Sequence, residues 1–196
     1  MKDWLLLCSI LLMPCFTSSQ NPRAGKDRAL FFAVSKYEHL TDLQNPIKDA
    51  EAIAKELQEN YGFITEVVPN PSFEEIEQKI KSYQGAYQKG NYAPDGQLLI
   101  FFSGHGSKSG DNGYFMPADA KADRPYATAI EYDYWRAAID RINCQHILVA
   151  VDACHSLSFD PNWKNKPDRK FNRPGEQFTD RVLLNHQAYR ARLFFT

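Results

Sequence analysis

The chain has 196 residues with 43% hydrophobic content, enough to bury one substantial core and, at this length, one catalytic-sized domain. A formal net charge of −1 gives no uniform basic surface, and the aromatic residues are not interleaved with a Lys/Arg stripe, which argues against a nucleic-acid partner.

The N-terminus sets Lys2 ahead of an apolar run from Trp4 to Phe16, followed by the small polar stretch Thr17-Ser18-Ser19-Gln20. This order reads as a signal peptide over residues 1–19, with 20–27 as a linker, and predicts an exported protein, periplasmic or extracellular. The run is shorter than the roughly 20 residues a spanning helix needs, so no stable membrane span is expected. Lipid anchoring is not favoured, since Pro14 stands where a lipoprotein box takes a small residue. Cleavage near Ser19 would remove Cys8 and Cys15 and leave Cys144 and Cys154, too few for a disulfide-stapled scaffold.

The predicted elements then alternate. Ala29 to Val34 is a continuous apolar run suited to a strand buried on both faces. Asn45-Pro46 opens a helix, Asn45 as cap and Pro46 in the first turn, with Ile47, Ala50, Ile53, Ala54 and Leu57 on one face and Gly62 as its end. Ile64 to Val68 is a second strand, and Ser72 with Glu75 forms a capping box for a helix through about residue 88. Gln97 to Phe102 is a third strand running into Ser103-Gly104-His105-Gly106, and Asn112-Gly113 suggests a hairpin turn before Tyr114. A helix from about Glu131 to Ile142 leads to a fourth strand, "HILVAVDAC". The alternation predicts an α/β fold, a mostly parallel central sheet between layers of helices.

Two of these strands end in reactive residue types, the third at His105 and the fourth at Cys154. Open α/β sheets bind ligands beyond the carboxyl ends of their strands, and parallel neighbours about 4.8 Å apart can deliver both side chains to one crevice. A free thiol has a pKa near 8.5 and needs a nearby imidazole to act as a nucleophile at neutral pH. The same imidazole can protonate a leaving amine. The Gly106 and Cys154 amides are the candidate oxyanion donors, glycine allowing close backbone approach. A buried, inert core thiol is the alternative for Cys154. A zinc site from Cys144, His146, Cys154 and His155 is opposed by geometry, because the two cysteines flank an extended strand.

"SGHG" closing one strand and "DACHS" closing another resemble the two catalytic blocks of the caspase-fold cysteine peptidases, nearest to the metacaspases and their bacterial relatives. His105 and Cys154 lie 49 residues apart, near the roughly 50-residue caspase spacing. The resemblance implies a three-layer α/β/α caspase-like domain over residues 28–160, an exposed basic loop at 161–178, and at 179–196 the start of a small part whose remaining elements the chain lacks. It implies Cys154 as nucleophile, His105 as general acid/base, Gly106 in the oxyanion hole, and Asp49, Ser103 and Asp152 as the pocket for the side chain before the cleaved bond. Two carboxylates there favour Lys or Arg through charge-assisted hydrogen bonds. The expected partner is a peptide or protein substrate; nothing fixes an oligomeric state. No cofactor and no metal are expected, the loop "SKSGDNG" carrying a single acid, Asp111, unlike the acid-rich loops of calcium-dependent metacaspases. Leu157, where the family has Gly, and the missing C-terminal part motivate the alternative of a catalytically silent interaction module. A hydrolase of another acyl or amide substrate, using the same dyad, is the third reading. The basic stretch also offers Arg169 and Lys170 as sites of self-cleavage for an enzyme of this specificity.

Overall fold

The structure is a computed structural model that describes residues 24–110, 112–121, 123–153 and the backbone of 191–195. The segment expected to be a signal peptide, the expected basic loop with Arg169 and Lys170, Asp111, Cys154, His155 and Leu157 lie outside the described residues.

The first apolar run forms β1 (Arg28–Ala33), and Ala29 to Val34 are fully buried, as a strand covered on both faces requires. It is followed by α1 (Pro46–Tyr61), β2 (Ile64–Pro69), α2 (Phe73–Gln88) and β3 (Gln97–Ser103). A hairpin of β4 (Gly106–Ser109) and β5 (Asn112–Phe115) comes next, then the one-turn α3 (Pro125–Thr128) and β6 (Ile130–Glu131). The chain continues through α4 (Tyr132–Asp140) into β7 (His146–Asp152), and β8 (Ala191–Phe195) is formed by the "ARLFF" segment. The main sheet has the order β2-β1-β3-β7-β8 with every neighbour parallel, while β4-β5-β6 make a small antiparallel sheet.

Strand alternation divides the core in two. Ala29, Phe31, Ala33 and Phe101 meet Ala50 and Ala54 of α1 on one face. Leu30, Phe32, Ile100, Phe102, Val149 and Val151 meet Ile76 and Ile80 of α2 and Trp135 and Ile139 of α4 on the other. This is the expected three-layer α/β/α arrangement, with a thin alanine-lined layer opposite a thick aromatic one. Phe102, Phe115 and Trp135 form the centre of the thick layer, with ring centroids 3.9 Å apart for Phe102–Phe115 and 4.5 Å for Phe115–Trp135. Among the described residues no helix is long and apolar enough to cross a membrane.

Three local expectations are corrected. Asn45 occupies the N-cap position of α1 but its side chain makes no capping bond; Ser35 Oγ, from the loop after β1, accepts the Ile47 amide at 3.2 Å instead. Ile53 is exposed, because Ala50 and Ala54 already fill the narrow contact with the sheet. Asn112 and Gly113 lie within β5, paired with Ser109 and Lys108, and it is Gly110 that takes a left-handed φ of 59° at the turn. By contrast Pro46 sits in the first turn of α1, Gly62 closes it with φ 71°, and the Ser72/Glu75 capping box is formed on both sides.

A candidate active site at the carboxyl ends of the strands

β3 and β7 run in parallel register with Ser103 opposite Asp152. The pairing continues into side chains, since the Ser103 hydroxyl donates to Asp152 Oδ2 at 3.2 Å. Past the strand end the Gly104 amide donates to the Asp152 carbonyl at 3.2 Å, and on the other side the Val34 amide donates to the Ser103 carbonyl at 2.9 Å. These bonds fix the mouth of an open cleft of about 770 Å³ in which Asp49, Ser103 and Asp152 all appear, together with Leu43, Asn45 and Gly104. Asp49 arrives from the first turn of α1, and Ser103 is almost wholly buried while both carboxylates reach solvent. The three residues expected in the substrate pocket are therefore brought to one cleft, in which the described lining residues include two carboxylates and no basic side chain.

His105 follows two residues after Ser103 and is half-buried. Its backbone amide donates to the Tyr37 hydroxyl at 2.7 Å, and its ring packs on the Tyr37 ring with centroids 4.7 Å apart. Nε2 lies 2.8 Å from the Thr41 carbonyl oxygen. A carbonyl can only accept, so this contact puts a proton on Nε2 and, in the neutral ring, leaves Nδ1 as the basic nitrogen. The Met116 amide donates to the His105 carbonyl at 2.9 Å, which makes the adjacent Gly106–Phe115 pair a non-hydrogen-bonded one. The Gly106 N–H is thereby turned away from β5 and left outside the ladder.

The loop from Ser35 to Asn45 that supplies Tyr37 and Thr41 is tied down internally. Asp42 accepts the Tyr37 amide at 3.0 Å and the Lys36 ammonium at 2.7 Å, and the Lys36 bond, followed by the Tyr37 amide, holds its carboxyl below the ordinary carboxylate value. Asn70, itself in the left-handed region at φ 49°, accepts the Ser35 and Lys36 amides through Oδ1. Burial pushes the Tyr37 phenol up to about 12, partly opposed by the amide it receives from His105, so the hydroxyl is neutral at working pH. Tyr37 and Thr41 carry no motif in the sequence. The one available signal is topological: β1 neighbours β3, so the polar loop after β1 must open beside the loop after β3.

Cys144 is buried at the opposite, amino end of β7, its thiol donating to the Gly96 carbonyl at 3.3 Å. The strand between it and Asp152 spans roughly 20 Å at 3.3 Å per residue, so Cys144 has no part in this cleft.

A sequence profile for the caspase domain matches residues 26–187. The chain belongs to the caspase domain family. Its members are cysteine peptidases, hydrolases that act on protein substrates. Among solved structures, pro-sf-caspase-1 aligns with the caspase domain described here at 18% identity and a TM-score of 0.49, over 81% of this chain and 53% of that one. The caspase domain thus spans about half the length of that protein. A comparison with curated proteins gives no match.

Proposed function

We propose that this caspase domain is an exported cysteine endopeptidase of metacaspase type that cuts after Lys or Arg, with Cys154 as nucleophile and His105 as general acid/base. The observation that carries the reading is the cleft in which Asp49, Ser103 and Asp152 converge, Ser103 standing two residues before His105 in the chain. The strand register supports it as well: Ser103 pairs with Asp152, so β3 and β7 end side by side, and His105 and Cys154 each follow two positions later in the sequence.

In the proposed reaction His105 Nδ1 takes the Cys154 thiol proton as the sulfur attacks the scissile carbonyl carbon. The carbonyl electron pair moves onto oxygen, where the Gly106 and Cys154 amides hold the negative charge. Collapse breaks the C–N bond, and the leaving amine takes the proton from the imidazolium. Water then gives a proton to the imidazole and its oxygen to the acyl carbon, the C–S bond breaks, and the imidazolium returns its proton to the thiolate, freeing the thiol and a carboxylic acid that ionises to solvent. Throughout, the Thr41 carbonyl keeps the other ring proton on Nε2 and steadies the ring as it becomes cationic. Before the scissile bond, a Lys or Arg side chain enters the cleft and meets Asp152 and Asp49, charge-assisted partners that an acidic side chain would not tolerate.

A fluorogenic peptide panel that varies only the residue before the bond tests this. Turnover after Arg and Lys, abolished by Cys154→Ala and by His105→Ala, is expected. Turnover confined to Asp would overturn the pocket assignment, and unchanged turnover in the Cys154→Ala protein would remove the mechanism.

A further inference from the structure

His105 stands on a Ser-Gly-His-Gly turn, with glycine on both sides. Such a backbone is free to wander, yet displacement of a catalytic group by about 1 Å can cost on the order of 10²-fold in rate. Something must hold it. The sheet ladder does not, because His105 lies past the end of β3 and before the start of β4.

We infer that Tyr37 is the positioning residue for His105, and that Gly104 is glycine to give the Tyr37 hydroxyl room to reach the His105 amide. The inference rests on the reading of His105 as the acid/base group. Two independent observations meet here. The Tyr37 hydroxyl accepts the His105 amide at 2.7 Å while its ring packs against the imidazole, so one side chain restrains both the backbone and the ring plane. A Cβ built on Gly104 would lie 2.7 Å from that same hydroxyl oxygen, and 3.4 Å from Phe102 Cζ and Val34 Cβ. Gly104 does not have a left-handed φ, so conformation does not call for glycine at this place; space for the Tyr37 hydroxyl does.

Tyr37 is itself held. Its ring is largely buried, and its backbone amide is bound by Asp42. Thr41, next to Asp42, returns its carbonyl to His105 Nε2. One loop therefore grips the histidine twice, at the main chain through Tyr37 and at the ring through Thr41. Loss of the first grip lets the turn relax and loosens the second.

The test uses the full chain with ring-labelled histidine, comparing wild type, Tyr37→Phe, Gly104→Ala and the double variant. Tyr37→Phe keeps the ring and deletes only the acceptor. It should lower kcat roughly tenfold with little change in KM, the magnitude of a modest misplacement. The His105 ring resonances should shift and broaden as the imidazole loses its fixed orientation, while Tm changes little. Gly104→Ala should reproduce both effects in the wild-type background and add less when Tyr37 is already Phe, since the atom it strikes is gone. Unmoved His105 ring resonances in Tyr37→Phe, or independent effects of the two substitutions on those resonances, would overturn the inference. The ring resonances decide this even if His105→Ala shows that the imidazole takes no part in turnover, so failure of the peptidase reading is visible separately.

Discussion

Asp152 does two things at once: its backbone carbonyl anchors Gly104, and its carboxylate accepts the Ser103 hydroxyl at the wall of the cleft. Asp152→Asn keeps the shape and removes the charge. A hydrogen bond to a charged group is worth about 1.5–3 kcal/mol, so kcat/KM for Arg peptides should fall by roughly 10- to 150-fold, measured on the fluorogenic panel. Ser103→Ala loses a neutral donor and leaves the carboxylate in place, so its loss should be only several-fold. These residues were legible because the chemistry is compressed into two short blocks, "SGHG" and "DAC", each at the end of an apolar run. Tyr37 and Thr41 were not, since they reach His105 from 68 and 64 positions away along the chain and belong to a polar loop of ordinary composition. Only the adjacency of β1 to β3 brings them there, and strand order is a global property that no local pattern carries.

Helix and strand identities followed from periodicity, but the details at their ends depended on neighbours. The start of α1 illustrates this: the helix takes the Ser35 hydroxyl, 12 residues upstream of Ile47, in place of the adjacent Asn45 amide. Ser35→Ala should therefore destabilise the protein by about 1 kcal/mol, the typical cost of removing a cap acceptor, whereas Asn45→Ala should stay within about 0.5 kcal/mol. Urea unfolding of the two variants checks the order; equal losses would restore Asn45 as the cap. The Ser72/Glu75 box was readable because both partners are local, three residues apart. The hairpin was misplaced for a related reason. Gly110 and Gly113 both offer turn chemistry, and the choice between them is made by the pairing of Ser109 with Asn112 rather than by either glycine.

The two core layers differ in thickness, and the aromatic one joins the parts of the domain. Phe102 of β3 packs on Phe115 of β5 and lies 6.0 Å from the Trp135 ring of α4, linking the main sheet to the small sheet and to a helix. Phe102→Ala should cost about 3–5 kcal/mol, read as a lowered urea midpoint, because its fully buried site has neighbours on three elements and little freedom to collapse. That the sheet would be parallel and covered on both faces was legible from the unbroken apolar runs. Which face would carry the cleft was not, since it depends on where α1 crosses. The alternation along β3 has one more consequence. Phe102 and Ser103 point to opposite sides, so the strand works as a two-sided ruler on which the aromatic anchor and the cleft hydroxyl are adjacent marks. A single codon inserted between Gln97 and Phe102 would offset those marks, turning an oily ring into the cleft and a hydroxyl into the driest part of the protein; cleft and core are thus exposed to the same one-residue slip.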